Sequence, residues 1–137
     1  MPRPQSVPVI NWHGCNGHYP LMDYHMEISK VKDAAMDHGY YAITPLGTEI
    51  LGTGQWGWNT DGILCGGLGI DDFAFFEAVL DFASTDLCVD TDRIYSTGFS
   101  TGAFLTYGAA CRYPSLLAAV STDAGSLSRS YVAGENS

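Results

Sequence analysis

Five residues, Gly98-Phe99-Ser100-Thr101-Gly102, constrain this chain more than any other stretch. They fit Gly-x-Ser-x-Gly, a pattern too short to mean much alone, but their surroundings are specific. Arg93-Ile94-Tyr95-Ser96-Thr97 before them reads as a strand. Thr101 to Arg112 after them, rich in Ala and Gly, reads as a helix that Pro114 ends. A reversal this tight forces its central residue into a strained backbone conformation and leaves no room for side chains two residues to either side. Gly98 and Gly102 meet that demand, and Ala103 keeps the next turn slim. The Ser100 hydroxyl then stands at a helix N-terminus, where free backbone N–H groups favour developing negative charge. The plainer reading of the same residues is a helix N-cap serine in a glycine-rich turn.

The alternation of strand and helix continues along the chain. Val7-Pro8-Val9-Ile10-Asn11-Trp12 reads as a strand entering the turn His13-Gly14-Cys15-Asn16-Gly17. Met22 to His38 has helical spacing with Gly39 as its stop, and Tyr40 to Pro45 is a second strand. Leu46 to Ile70 is Gly-, Thr- and Trp-rich without a period, long enough to carry function or a lid. Asp71-Asp72 opens a helix with Phe73, Phe76, Val79, Leu80 and Ala83 on one face, the two acids suiting its N-terminus. Asp90-Thr91-Asp92 is a turn, Leu116 to Ser121 a last strand, and the Ser- and Gly-rich tail from Gly125 is expected to fray. The order βα βα βα β predicts a single α/β domain over residues 1–137, a parallel sheet with helices on both faces. Chemistry in such a sheet gathers beyond the carboxyl ends of its strands, here residues 13–20, 46–70, 98–102 and 122–128.

Composition narrows the partners. Apolar residues make up 46% of 137, enough for a packed core. Fifteen acidic against six basic residues, net −9, argues against nucleic acid and anionic membranes. No apolar run approaches the ~18–20 residues of a membrane span. Met1-Pro2-Arg3-Pro4-Gln5 lacks the apolar stretch of a signal peptide. Cys15, Cys65, Cys88 and Cys111 show no Cys-x-x-Cys spacing, so no metal site or cofactor is implied. They are either two disulfides, in one of about three connectivities, or buried thiols.

His13-Gly14-Cys15 supplies a second element of a site. At the end of a neighbouring strand it can turn a backbone N–H towards an oxyanion, joining the N–H of Thr101, the residue after Ser100. Cys15 is the expected second donor and Gly14 the alternative. His13 itself reads as a brace for the loop rather than a base.

Several motifs together carry a family resemblance. Trp12-His13-Gly14-Cys15, Trp58-Asn59, Asp71-Asp72-x-x-Phe75 and Cys88-Val89-Asp90-x-x-Arg93-Ile94-Tyr95-x-Thr97-Gly98-x-Ser100 resemble α/β-hydrolase serine esterases of the feruloyl esterase and polyhydroxybutyrate depolymerase-like group. Ala110-Cys111-x-Tyr113-Pro114 and Leu117-Ala118-Ala119-Val120 extend the resemblance to residues 7–126. It implies a truncated three-layer α/β-hydrolase core, its strands being the fold's third to sixth in the order 4-3-5-6, with the His13 loop beside Ser100. It also implies a carboxylic ester hydrolase, extracellular, acting on feruloyl esters of plant cell-wall polysaccharide such as xylan, or on polyhydroxyalkanoate-type polyesters.

Hydrolases of this fold order their triad Ser, then Asp or Glu, then His. All four histidines here (His13, His18, His25, His38) precede Ser100, and only Asp123 and Glu135 follow it as acids. The chain thus reads as the nucleophile-bearing half of an esterase without its triad histidine, with Asp123 as a candidate acid or a plain turn residue. His18 or His25 would have to fold over the site to rebuild a triad. Within the fold implied by the resemblance, Cys15 and Cys65 share the carboxyl rim and Cys88 and Cys111 the opposite rim, so the expected bridges are 15–65 and 88–111. Trp56 and Trp58, with His13, are candidates for a substrate wall; the tryptophans equally suit a cap on the core edge. The readings from other classes are an inactive hydrolase-fold remnant that binds a ligand or protein, and an acyltransferase.

Overall fold

The computed structural model describes residues 6–15, 26–60 and 63–127. Its elements are β1 (Pro8–Trp12), α1 (Val31–His38), β2 (Tyr41–Ile43), β3 (Thr48–Ile50), β4 (Gln55–Gly57), β5 (Asn59–Thr60), β6 (Ile63–Leu64), α2 (Asp72–Asp86), β7 (Tyr95–Phe99), α3 (Thr101–Arg112) and β8 (Ala119–Asp123). Four strands form one parallel sheet in the order β2-β1-β7-β8, the order the resemblance implies. β1 and β7 are its centre, with Trp12 opposite Gly98, so both chains leave the sheet at the same level.

Side chains alternate across β1, and this sorts the helices. Ile10 and Trp12 are fully buried in a core with Phe76 and Val79 of α2 and Leu105 and Ala109 of α3. Asn11, pointing the other way, donates from Nδ2 to the Ser29 hydroxyl at 3.4 Å, in a helical turn over residues 26–29 that leads into α1. Helices therefore cover both faces. Trp12 stacks on Phe76 with ring centroids 4.9 Å apart and meets Trp58 edge-on at 5.1 Å. Burying a side chain such as Phe76 contributes about 2–3 kcal/mol. α2 buries the face expected of it, and Asp71 caps its start by accepting from the N–H groups of Phe73 and Ala74.

Three expectations need correction. The helix read over Met22 to His38 is broken at Lys30, which takes a left-handed φ of 54°; its first residues lie outside the described part. α1 ends as expected, with Gly39 at φ 72° donating to the Ala35 carbonyl. The last strand is residues 119–123 rather than 116–121, because Leu116 still donates to the Tyr113 carbonyl in the turn after α3. The segment Leu46–Ile70 is not structureless: β3 pairs with β4 and β5 with β6, both antiparallel. The tail beyond residue 127 lies outside the described residues. No described helix is long and apolar enough to cross a membrane.

Candidate active site

Ser100 sits between β7 and α3 at φ 53°, ψ −118°, a conformation an L side chain adopts only under surrounding constraint. Those constraints are visible. Its N–H donates to the Asp123 carbonyl at 3.0 Å, and its own carbonyl accepts from Ala103 and Phe104 at 2.9 and 3.1 Å. A Cβ on Gly98 would overlap the Gly102 carbonyl, and one on Gly102 would overlap the carbonyl oxygen of Trp12. Gly125 passes close to Ala103, closing the turn from the β8 side. The elbow is held by backbone from three strands.

The loop after β1 lies against it. A Cβ on Gly14 would stand 3.1 Å from the Ser100 Cβ and 3.0 Å from the Phe99 ring, so a side chain here would crowd the elbow unless these neighbours shifted by a few tenths of an ångström. Thr101 is buried, with no hydrogen-bond partner for its hydroxyl among the described residues. As the first residue of α3, Thr101 presents its N–H outwards from the helix end. Cys15, half-buried, is bonded to Cys65 with Cα atoms 5.8 Å apart, as one of the two expected bridges.

His13 is wholly inside and committed at both ring nitrogens. Nδ1 lies 2.6 Å from the Gly14 carbonyl, and Nε2 accepts from the Gly47 N–H at 2.9 Å. A carbonyl can only accept, so Nδ1 carries the proton and the ring is the neutral Nδ1–H tautomer. Burial lowers its pKa below the usual histidine value, the bond to Gly14 opposing this in part. Protonating Nε2 would set two N–H groups against each other. As a general base for Ser100 this ring is spent. His38 ends α1, exposed, at the rim where β2 begins and therefore away from the carboxyl ends. His18 and His25 lie outside the described residues.

Trp58 does not line a substrate wall. It is 0% exposed, its indole N–H donating to the His13 carbonyl at 2.8 Å and its ring 4.9 Å from the imidazole. An apolar ring of this size with one donor is driven inside wherever that donor finds an acceptor. Trp56, half-buried on β4 opposite Glu49, keeps a partly open surface. The 88–111 bridge is also absent: both are free, exposed thiols. Cys88 is tied by its carbonyl to Ser6, and Cys111 lies in the last turn of α3 beyond buried Ala109, on the outer side of that helix.

Asp123 shares a sheet face with Phe99, its register partner, and the two border a cleft of about 380 Å³ with Asn11, Ser29 and Thr97. Sequence reasoning passed over Gly47 and the full role of Asn59. The Asn59 side chain gathers the Gly66 N–H and the Gly67 and Ile70 carbonyls, and its backbone N–H donates to Asp72. Asp72 is 2% exposed, and its burial raises its pKa above the ordinary carboxylate value. No cluster of metal-ligating side chains occurs among the described residues.

A strained serine thus stands between a central strand and the following helix of a parallel α/β sheet, with a glycine loop from the adjacent strand packed on it. Comparison with known proteins narrows this. The chain is 36% identical over 55 residues to Feruloyl esterase D of Neurospora crassa, covering 40% of this chain and 19% of that protein. It is 38% identical over 72 residues to Feruloyl esterase C of Emericella nidulans, covering 52% and 24% respectively. A protein of Aspergillus niger named "Probable feruloyl esterase C" is 37% identical over 70 residues, covering 50% of this chain and 23% of its own length. No protein-family profile matches the chain. Over about half its length it is a feruloyl-esterase-like sequence, and it spans about a quarter or less of those relatives in the matched part.

Proposed function

We propose that this chain carries the nucleophile and the oxyanion donors of a serine carboxylic ester hydrolase acting on feruloyl esters of plant cell-wall polysaccharide. The observation that carries the reading is Ser100 at φ 53° with the Gly14 backbone packed against its Cβ. Ser100 Oγ attacks the ester carbonyl carbon and gives up its proton to a base. The N–H groups of Thr101 and of Cys15, or Gly14 in its place, take the charge on the carbonyl oxygen. The bond to the alcohol oxygen then breaks, the alcohol leaves with the proton, and water releases the acid from the acyl-serine. The names of the relatives favour a feruloyl ester over a polyester. Trp56, on the hairpin beside the site, is proposed to contact the substrate's aromatic ring. Formation of the Cys15–Cys65 bridge supports an oxidising, extracellular setting.

The base belongs to residues other than those described, since His13 is committed and His38 stands at the wrong rim. Asp123, at the carboxyl end of β8, stands where an acid orienting that base would be useful. Hydrolases stripped of triad members retain about 10³–10⁴-fold acceleration from the oxyanion hole and binding. The test is covalent labelling of the 137-residue chain with an alkyl fluorophosphonate, mapped by peptide mass. Slow labelling at Ser100, accelerated by added imidazole and absent in Ser100→Ala, is expected. No adduct at Ser100 even with imidazole overturns the reading and favours a non-catalytic binding protein. Rapid turnover of p-nitrophenyl acetate without added imidazole would show that a working base lies within the 137 residues and would overturn the expected dependence on imidazole.

A further inference from the structure

We infer that Trp58 is a positioning residue that sets the peptide planes of the oxyanion loop; this rests on the esterase reading and deepens it. The described peptide bonds are all trans, so each C=O and the N–H of the next residue point in opposite directions. The His13 carbonyl is drawn to the buried side by the Trp58 indole N–H at 2.8 Å, which turns the Gly14 N–H away from the core. The Gly14 carbonyl is drawn inwards by His13 Nδ1 at 2.6 Å, which turns the Cys15 N–H the same way. Gly47 completes the arrangement: its N–H at 2.9 Å from Nε2 selects the tautomer that leaves a proton on Nδ1. Two successive peptides are thus clamped from behind, and their N–H groups are presented on the side opposite the clamp.

Trp58 also closes a ring of bonds around this loop. Its own carbonyl accepts from the Cys65 N–H at 3.1 Å, and Cys65 is bonded to Cys15. From the indole to His13, Gly14 and Cys15, across the disulfide to Cys65 and back to Trp58, the circuit is continuous. The indole N–H is a donor only, so removing it deletes this link and no other hydrogen bond of the ring. Its packing surroundings, Trp12 at 5.1 Å and Phe75 stacked at 6.0 Å, hold the ring whether or not the N–H is present.

The test compares the parent chain with Trp58→Phe and with β-(3-benzothienyl)alanine at position 58, which keeps the bicyclic shape and lacks the N–H. Ser100 is labelled, with imidazole present, by a fluorophosphonate and by its thiophosphonate counterpart, in which P=S replaces P=O. Oxyanion donors favour P=O, so the rate ratio reports the donors and is insensitive to general changes in serine reactivity. Both variants are expected to label about tenfold more slowly with the P=O reagent, with the P=O/P=S ratio falling towards the value the two reagents show with a simple alcohol in solution. If the parent labels and the variants match it in rate and ratio, the positioning role is overturned while the esterase reading stands. If the variants slow equally towards both reagents, Trp58 is a packing residue only and the inference is likewise overturned. If the parent does not label, both fall.

Discussion

Gly102→Ala separates two physical arguments because they predict opposite signs. Gly102 is a helical residue inside α3, and alanine is favoured over glycine in a helix by about 0.5–1 kcal/mol. Propensity alone therefore predicts a more stable protein. The structure predicts the reverse. A Cβ at this position would overlap the Trp12 carbonyl oxygen and stand 2.6 Å from that of His13. Both are backbone atoms at the end of β1, which is hydrogen-bonded to β2 on one side and β7 on the other and cannot recede. Forcing extra volume into a packed interior costs about 1–3 kcal/mol, and with backbone on the receiving side the upper figure applies. Subtracting the helix gain leaves a loss of about 2 kcal/mol, on the order of 5–10 °C in Tm for a domain this size. Urea and thermal unfolding followed by circular dichroism measure it. Gly52→Ala is the comparison, since Gly52 is exposed at φ 70° with nothing within 4 Å of its added Cβ. It should lose only the left-handed strain, about 1–2 kcal/mol, and leave Ser100 labelling untouched. A Gly102→Ala protein as stable as the parent, or more so, would refute the claim that β1 and α3 touch through this glycine.

Three further outcomes are expected. Native protein should react with a thiol reagent at two cysteines, Cys88 and Cys111, and at four after reduction; the loop of 50 residues that the bridge closes makes reduction cost roughly 4 kcal/mol in stability. His13 is held below its unfolded pKa of 6.5, so its contribution is complete above that value and is lost as pH falls through the lower folded pKa; urea midpoints between pH 7.5 and 5 should drop more in the parent than in His13→Asn, and equal drops would count against the committed ring. Asp72 is held above its unfolded pKa of 3.8, so its contribution is present below that pH and lost as pH rises through the higher folded pKa; Asp72→Asn, which keeps an oxygen for the Asn59 N–H, should gain on the parent as pH rises, and a pH-independent difference would contradict the burial argument.

The elements legible in the sequence are those whose residues announce a period or a steric demand. The strand that ends at Trp12, the buried face of α2 and the paired glycines around Ser100 all reappear where they were read. What escaped depends on contacts far along the chain. β3 to β6 are two or three residues long and hold their shape through Asn59 and the Thr48 hydroxyl rather than through any pattern of their own. Lys30 carries no signal for the left-handed turn that splits the first helix. Trp58 was open to either reading because a tryptophan on a loop looks the same whether its N–H meets water or, as here, a carbonyl 45 residues away.

One register accounts for half the site. Because Trp12 lies opposite Gly98 in neighbouring parallel strands, the residues that follow each must leave the sheet side by side, residues 13–15 next to 99–101. The proposed nucleophile and oxyanion donors are therefore set by two adjacent strand ends and by glycines too small to push them apart. A general base has no such guarantee, since it is a single side chain that must be carried over the serine by some other segment. In the esterase reading the two functions are physically separable: the proposed electrophile-stabilising half lies within the described residues, whatever segment supplies the proton acceptor. Imidazole in solution then serves as a stand-in for that segment. Its acceleration of Ser100 labelling should be proportionate in parent and Trp58→Phe proteins, because the base acts on the hydroxyl and Trp58 on the oxygen at the far side of the reacting centre. A Trp58→Phe protein that lost its imidazole response while keeping its P=O preference would show the two halves to be coupled.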